Sequence, residues 1–361
     1  MRSNANQVKA LLERPGAERR IGPFVLLEQL GRGGFAPVWL AQETYGATEL
    51  RTAAVKLFSL HDADRQRIVE EARALCRVEH PNVVRFYALA IDDDAEVAGV
   101  AMEHVAGTPL DARLARDGRL AVPDALDVGV AIASALSAVH RAGLVHRDVK
   151  PANVIDAGGV YKLIDFGIAA ADPRDAAGGS ARVELGDVSG ALRGASPSLL
   201  QRDRRMNSGT RDAPTAPLGG VFGTVGYVDP TCVATRAPAT AASDLYALGA
   251  MIFECVAGRV PAAAAASPGL LSGEVLDGRR TPPSLAELEP TTPPALARLV
   301  AALLEPSRDG RPVSAEWVAT ELERVRTELE GRRRALPPED VGPFRGLGRV
   351  EPADRAVYFG R

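Results

Sequence analysis

Lysine is nearly absent from this chain. Of 43 basic residues only four are lysine, at positions 9, 56, 150 and 162; the rest are arginine. Cysteine is as scarce. Cys76, Cys232 and Cys255 are widely spaced, odd in number and in no metal-ligand spacing. This excludes a disulfide scaffold and a cysteine metal site, and predicts buried or free thiols of a reducing compartment. No apolar run reaches the ~18 uninterrupted residues expected of a membrane span. The N-terminal MRSNANQVKALLERPGAERR lacks the apolar core of a signal peptide. Neither charge dominates: 46 acidic against 43 basic residues give a net charge of -3. No overall basic field is present to draw nucleic acid or an anionic membrane. These absences predict a cytoplasmic protein with no nucleic-acid and no membrane partner.

What is there suits a two-lobed domain. The chain has 361 residues, 46% hydrophobic and 25% charged, ordinary for a globular protein and long enough for two lobes. Residues 1–20 read as a polar tail with a short helical stretch. Strand-like segments follow at 24–31, 36–43 and 51–58. Residues 62–78 read as a helix, with Asp62 as N-cap and Ile68, Val69, Ala72, Leu75 and Cys76 on one apolar face. Further strands fit at 83–91 and 97–105. After Gly107 the texture becomes helical, at 123–143, 242–258, 294–304 and 314–334. The pattern predicts an α+β fold: a β-rich N-lobe with one helix (about 21–105) and a helical C-lobe (about 106–330), with a cleft between them. Residues 171–220 read as a long loop insertion, and 331–361 as linker and tail.

The chemistry concentrates in a few short stretches. Gly31, Gly33 and Gly34 in LGRGGFAPVW occupy a hairpin where backbone N–H groups can approach phosphate oxygens without a Cβ in the way. By itself such a hairpin is usually only a turn. In AAVK, Lys56 ends an apolar run, so it either needs an anionic partner, Glu70 or Glu71 on the next helix, or snorkels to water. A slim ammonium rather than a broad guanidinium suits a tight phosphate pocket. In VHRDVKPANVI, Asp148 is a candidate general base and Lys150 a neutralising cation. Asn153 offers a hard oxygen for Mg2+. Asp165, in YKLIDFG, follows a short strand where a second, anionic metal ligand belongs.

GRGGFAPV, AAVK, HRDVKPAN, DFG, GTVGY and SDLYALG, in this order over roughly residues 22–328, resemble the eukaryotic-like (Hanks-type) protein kinases, bacterial Ser/Thr kinases in particular. Four lysines scattered over 43 basic positions would fill both motif sites less than about once in a hundred times. The resemblance implies a bilobal protein kinase fold, ATP as phosphoryl donor, Mg2+ as metal with Mn2+ as the alternative, and protein Ser/Thr hydroxyls as acceptors. It implies that Gly31, Arg32, Gly33 and Gly34 cover the ATP phosphates, and that Val38 and Ala54 line the adenine site. Lys56 would pair with the α- and β-phosphates and with a helix carboxylate. Glu71, nine residues before His80, is the better match for that carboxylate. Met102 precedes the hinge, and Glu103 to Val105 bond adenine through their backbone. Asp148 is the base, Lys150 steadies the γ-phosphate, Asn153 and Asp165 hold the metal, and Asp244 supports the catalytic loop. Arg147 would pair with a phosphorylated activation segment.

Three departures stand out. Ala36 replaces the third glycine of the loop, followed by Pro37. VDPT puts Thr231 where the family has a glutamate that pairs with an arginine, here Arg311, which must then find another acceptor or be solvated. The stretch from Asp165 to Pro230 is long and rich in Ser, Thr and Arg. It implies trans-autophosphorylation within 171–224, with a second copy as partner, or else an inert insertion. Thr231 and this loop leave open a second reading, a nucleotide-binding scaffold or regulatory module. The tail PFRGLGRVEPADRAVYFGR resembles the lead-in to STAND-type NTPase modules, implying the kinase portion, or a relic, of a longer protein with a C-terminal NTPase module.

Overall fold

The computed structural model describes residues 4–32, 36–60, 62–166, 226–235, 237–261 and 283–334. Alternating side chains in the first hundred residues build a six-stranded antiparallel sheet. Its strands are β1 (Arg20–Ile21), β2 (Phe24–Arg32), β3 (Pro37–Tyr45), β4 (Thr48–Ser59), β5 (Phe86–Asp92) and β6 (Val97–Glu103), in the order β1-β2-β3-β4-β6-β5. Phe24, Leu26, Trp39, Ala41, Ala53, Val55 and Leu57 recur at every second position and so share one buried face. Ala54 and Phe58, on the other face of β4, join the core shared with the C-lobe. AAVKLF, residues 53–58, is buried at every position because both of its faces are covered.

The N-terminal segment is not a trailing tail. Helix α1 (Asn4–Leu12) seats Val8 and Leu11 in the sheet's core cluster, and Arg14 Nη1 lies 3.0 Å from Asp92 Oδ2. Nine residues are too few for a helix to hold alone in water, so burial of these two side chains holds it. The N-lobe therefore begins within the expected tail, ahead of residue 21. Helix α2 (Asp62–Leu75) stops three residues short of expectation. There Arg77 and Val78 donate to carbonyls three residues back, a tightened last turn. Cys76, expected on the apolar face, is exposed beyond that end. Strand β5 starts at Phe86 because Val83 and Val84 are engaged with Leu163 of the C-lobe instead.

Beyond β6 the chain crosses to the C-lobe at Gly107, where a Cβ would lie 2.4 Å from the Asp156 carbonyl oxygen. Only glycine passes there. A small sheet follows: β7 (Thr108–Pro109), β8 (Val154–Asp156) and β9 (Tyr161–Leu163). The helices are α3 (Leu110–Asp117), α4 (Val122–Arg141), α5 (Pro230–Thr235), α6 (Ala241–Ala257), α7 (Leu285–Leu288), α8 (Pro294–Leu303) and α9 (Ala315–Arg334). α4 is long and apolar enough to cross a membrane by length and composition, yet 61% of that stretch is buried in this lobe. Gly129 of α4 allows the close approach of Ile252 from α6 and Leu322 from α9. Apolarity on more than one side of α4 is thus explained by two helical neighbours. Gly33, Gly34, Thr224, the insertion at 171–220 and the tail at 336–361 lie outside the described residues.

Candidate active site

The loop between α4 and β8 is fixed from below by one carboxylate. Asp244, in the first turn of α6, accepts the backbone N–H groups of His146 and Arg147, both at 2.8 Å, and is 2.8 Å from His140 Nε2. These bonds hold Arg147 at φ +71°, a conformation side-chain-bearing residues rarely adopt. His146 is fully buried, and burial pushes its pKa down, so the ring is neutral. Its partners assign the tautomer: Nε2–H donates to the Ile164 carbonyl (3.0 Å), and Nδ1 accepts the Asp148 N–H (3.4 Å). The ring packs 4.9 Å from that of Phe166. One imidazole therefore ties the loop carrying Asp148 to the segment carrying Asp165.

Asp148 Oδ2 is 2.8 Å from Lys150 Nζ and accepts Asn153 Nδ2 at 2.9 Å. Asn153 Nδ2 also donates to the Asp148 backbone carbonyl (2.7 Å), which orients the amide. The amide oxygen takes no part in either bond. Asn153 is buried, and its own carbonyl accepts the Ile164 N–H at 2.9 Å. One residue on, Asp165 stands at φ +63° and pairs with the Lys56 ammonium of β4. Lys56 is 8% exposed; an ammonium so buried would cost several kcal/mol without an anion. The sequence-predicted quartet of Lys56, Asp148, Asn153 and Asp165 is thereby gathered at the junction of the lobes.

The expected Lys56–Glu71 pair is replaced. Lys56 takes Asp165, while Glu71 Oε1 lies 3.3 Å from Arg147 Nη1. Glu70 accepts from Gln66 on its own helix, at 2.7 Å. The two left-handed residues, Arg147 and Asp165, bring a cation to α2 and an anion to β4. Charge balances either way, and the expectation of Glu71, which rested on its spacing from His80, is not met.

Above the quartet, Val38 packs against the shared core that contains Ala54 and Met102, and Val105 joins it from the hinge. Ala54 pairs with Met102 across β4 and β6, as Val38 does with Lys56 across β3 and β4. The Glu103 N–H is committed to the Arg85 carbonyl (2.8 Å), so a bond from its backbone to adenine must come from its carbonyl. Its side chain holds Lys162 Nζ of β9 at 2.9 Å, a hinge contact that sequence reasoning missed. Lysine scarcity was the signal. Gly31 has open space where a Cβ would stand, and Arg32 pairs with Pro37 at the end of the hairpin.

Arg311 has found its other acceptor. With its side chain 0% exposed, it lies 2.6 Å from Asp229 Oδ1 and donates to the carbonyls of Glu305 (2.7 Å), Ala242 (2.9 Å) and Pro306 (3.0 Å). Burial would raise the Asp229 carboxyl, but bonding and charge from Arg311, with help from Ser243 and the Thr231 N–H, hold it at about 2. Nearby, Tyr227 donates to Glu254, whose carboxyl burial pushes up.

Among the described residues no group of three His, Cys, Asp or Glu forms a metal cage. The Asp165 carboxylate and the Asn153 amide instead offer two hard-oxygen donors of the kind a divalent ion takes.

The protein kinase domain family matches residues 24–322. The serine/threonine-protein kinase PknE of Mycobacterium bovis is 33% identical over 243 residues, 65% of this chain and 35% of its own length. PknH of the same organism is 42% identical over 158 residues, 42% of this chain and 25% of its own length. PrkC of Bacillus subtilis is 30% identical over 239 residues, 66% of this chain and 31% of its own length. The chain thus spans a quarter to about a third of the curated relatives it matches. The crystal structure of the PknI kinase domain of Mycobacterium tuberculosis shares the fold, with a TM-score of 0.56 at 22% identity, covering 84% of this chain and 97% of that one. The chain belongs to the protein kinase domain family.

Proposed function

We propose that this chain is an ATP-dependent kinase that transfers the γ-phosphoryl group to Ser and Thr hydroxyls of proteins. The observation that carries the reading is the convergence of Lys56, Asp148, Asn153 and Asp165, tied together by His146 and Ile164. Asp148, held by Lys150 and Asn153, would take the proton of the acceptor hydroxyl. Lys56 would set the α- and β-phosphates and Lys150 the γ-phosphate, so that positioning and charge neutralisation supply most of the rate. Asn153 and Asp165 would hold a divalent ion, Mg2+ or in its place Mn2+, which screens phosphate charge when bound. Ser/Thr acceptors are supported by Lys150, two residues after the base, by Thr224, and by the relatives' shared description as serine/threonine kinases. A scaffold without chemistry has no use for four intact groups. Incubation with ATP labelled in its γ-phosphate tests the reading. Label on phosphoserine or phosphothreonine supports it, and divalent-ion-independent or exclusively tyrosine labelling contradicts it. A cytoplasmic location and self-association for trans-autophosphorylation are part of the same proposal.

A further inference from the structure

The segment at 226–231, the first turn of α6 and the loop at 305–311 meet around one anion. Besides Arg311, Asp229 accepts Arg308 Nε at 3.1 Å and Ser243 Oγ at 2.9 Å. Arg308 also reaches Ser243 Oγ at 3.2 Å. The Asp229 side chain is 0% exposed. Without it, two guanidinium groups, one wholly buried, would lose their shared carboxylate. Ser243 directly precedes Asp244, whose carboxylate carries the backbone of His146 and Arg147 just before Asp148.

We propose that Asp229 is a positioning residue for phosphoryl transfer: it clamps the segment before α5 onto the first turn of α6 and, through Asp244, steadies the loop that bears Asp148. Position 231 is an alternative seat for the same anion. Thr231 Oγ1 (2.9 Å) and Arg311 Nη2 (3.0 Å) converge on the Pro306 carbonyl oxygen, so a carboxylate at 231 comes within reach of Arg311. Arg311 thus needs one carboxylate, and the chain supplies it two residues earlier than a glutamate at 231 would. The catalytic half of this proposal rests on the kinase reading; the anchoring half does not.

The test compares the full chain with Asp229→Ala and with Asp229→Ala/Thr231→Glu, by thermal melting and by steady-state kinetics well below the melting temperatures, counting active sites by nucleotide binding. Asp229→Ala is expected to lose about tenfold to a hundredfold in kcat per nucleotide-binding site, with KM for ATP within about threefold. The double variant should regain the melting temperature and come within about threefold of wild-type kcat. A merely structural role would lower the count of active sites and leave kcat per site unchanged. Unchanged kcat in Asp229→Ala, or a double variant no better than the single one, overturns the proposal. If Asp229→Ala does not fold, the double variant decides: folded and active supports the proposal, unfolded or inactive refutes it. A wild-type chain with no transferase activity would count against the kinase reading. The anchor would then stand or fall on whether the double variant melts near wild type or with the single variant.

Discussion

The Lys56 ammonium and the Asp165 carboxylate, 109 positions apart in the chain, form an ion pair that spans the two lobes. The same carboxylate is a proposed ligand of the divalent ion, so its charge matters more than its shape. Asp165→Asn keeps the shape and removes the charge. Activity is expected to fall by at least about a hundredfold, and the Mg2+ concentration for half-maximal rate to rise. A titration of rate against Mg2+ checks both.

Arg147 is engaged by Glu71 at 3.3 Å. A phosphoryl group on a serine or threonine within 171–224 would be a doubly charged rival for that guanidinium. Phosphorylated wild-type chain is therefore expected to outpace phosphatase-treated chain, and the two forms of Arg147→Ala to run alike. Mass spectrometry of active protein should find phosphate in that window. Active protein carrying none there contradicts the prediction.

Stability should fall in two steps on acidification. His146 and His80 have pKa values lowered chiefly by burial, so the unfolded chain takes up protons first as pH drops below about 6.5. Asp229 sits at about 2 against 3.8 unfolded. Its contribution is complete above about pH 4 and disappears as pH falls toward 2, a loss of about 2 kcal/mol. Urea melts across pH 3–8 should show both windows, and Asp229→Asn should lack the lower one.

Leu11 is completely buried at the end of α1, in the core of the N-lobe sheet. Leu11→Ala is expected to cost about 2–4 kcal/mol, seen as a lower denaturation midpoint. A change under about half a kcal/mol would mean that α1 is not docked in solution.

The longer strands β2 to β6 and helices α2, α4, α6, α8 and α9 were legible because period-two and period-3.6 patterns survive wherever one face is buried, and β4 because both faces are. Helices α3, α5 and α7 and the two- and three-residue strands β1, β7 and β8 were not, being too short to show a period. Lys56, Asp148, Asn153 and Asp165 were legible from residue type and spacing. Their pairing was not. Two cations and two carboxylates satisfy one another in either arrangement, and only the folded chain, left-handed at Arg147 and Asp165, shows which of them meet. The need of Arg311 for an acceptor was readable, while Asp229 as that acceptor was not, since many acids lie close in sequence and only folding brings 229 beside 311. Helix α1 was missed as part of the lobe because a single apolar spacing, Val8 to Leu11, gives too faint a period. Lys162 carried the same rare-residue signal as Lys56 and Lys150, yet its partner Glu103 lies 59 positions away.

The most direct measurement is phosphoryl transfer from labelled ATP in the presence of Mg2+ by three proteins: the unaltered chain, Lys56→Met and Asp148→Asn. If an ammonium from β4 and a carboxylate from the loop after α4 serve one site, the unaltered chain incorporates label, and each substitution lowers incorporation by at least about a hundredfold while both variants remain folded. Equal incorporation by all three proteins would contradict the account.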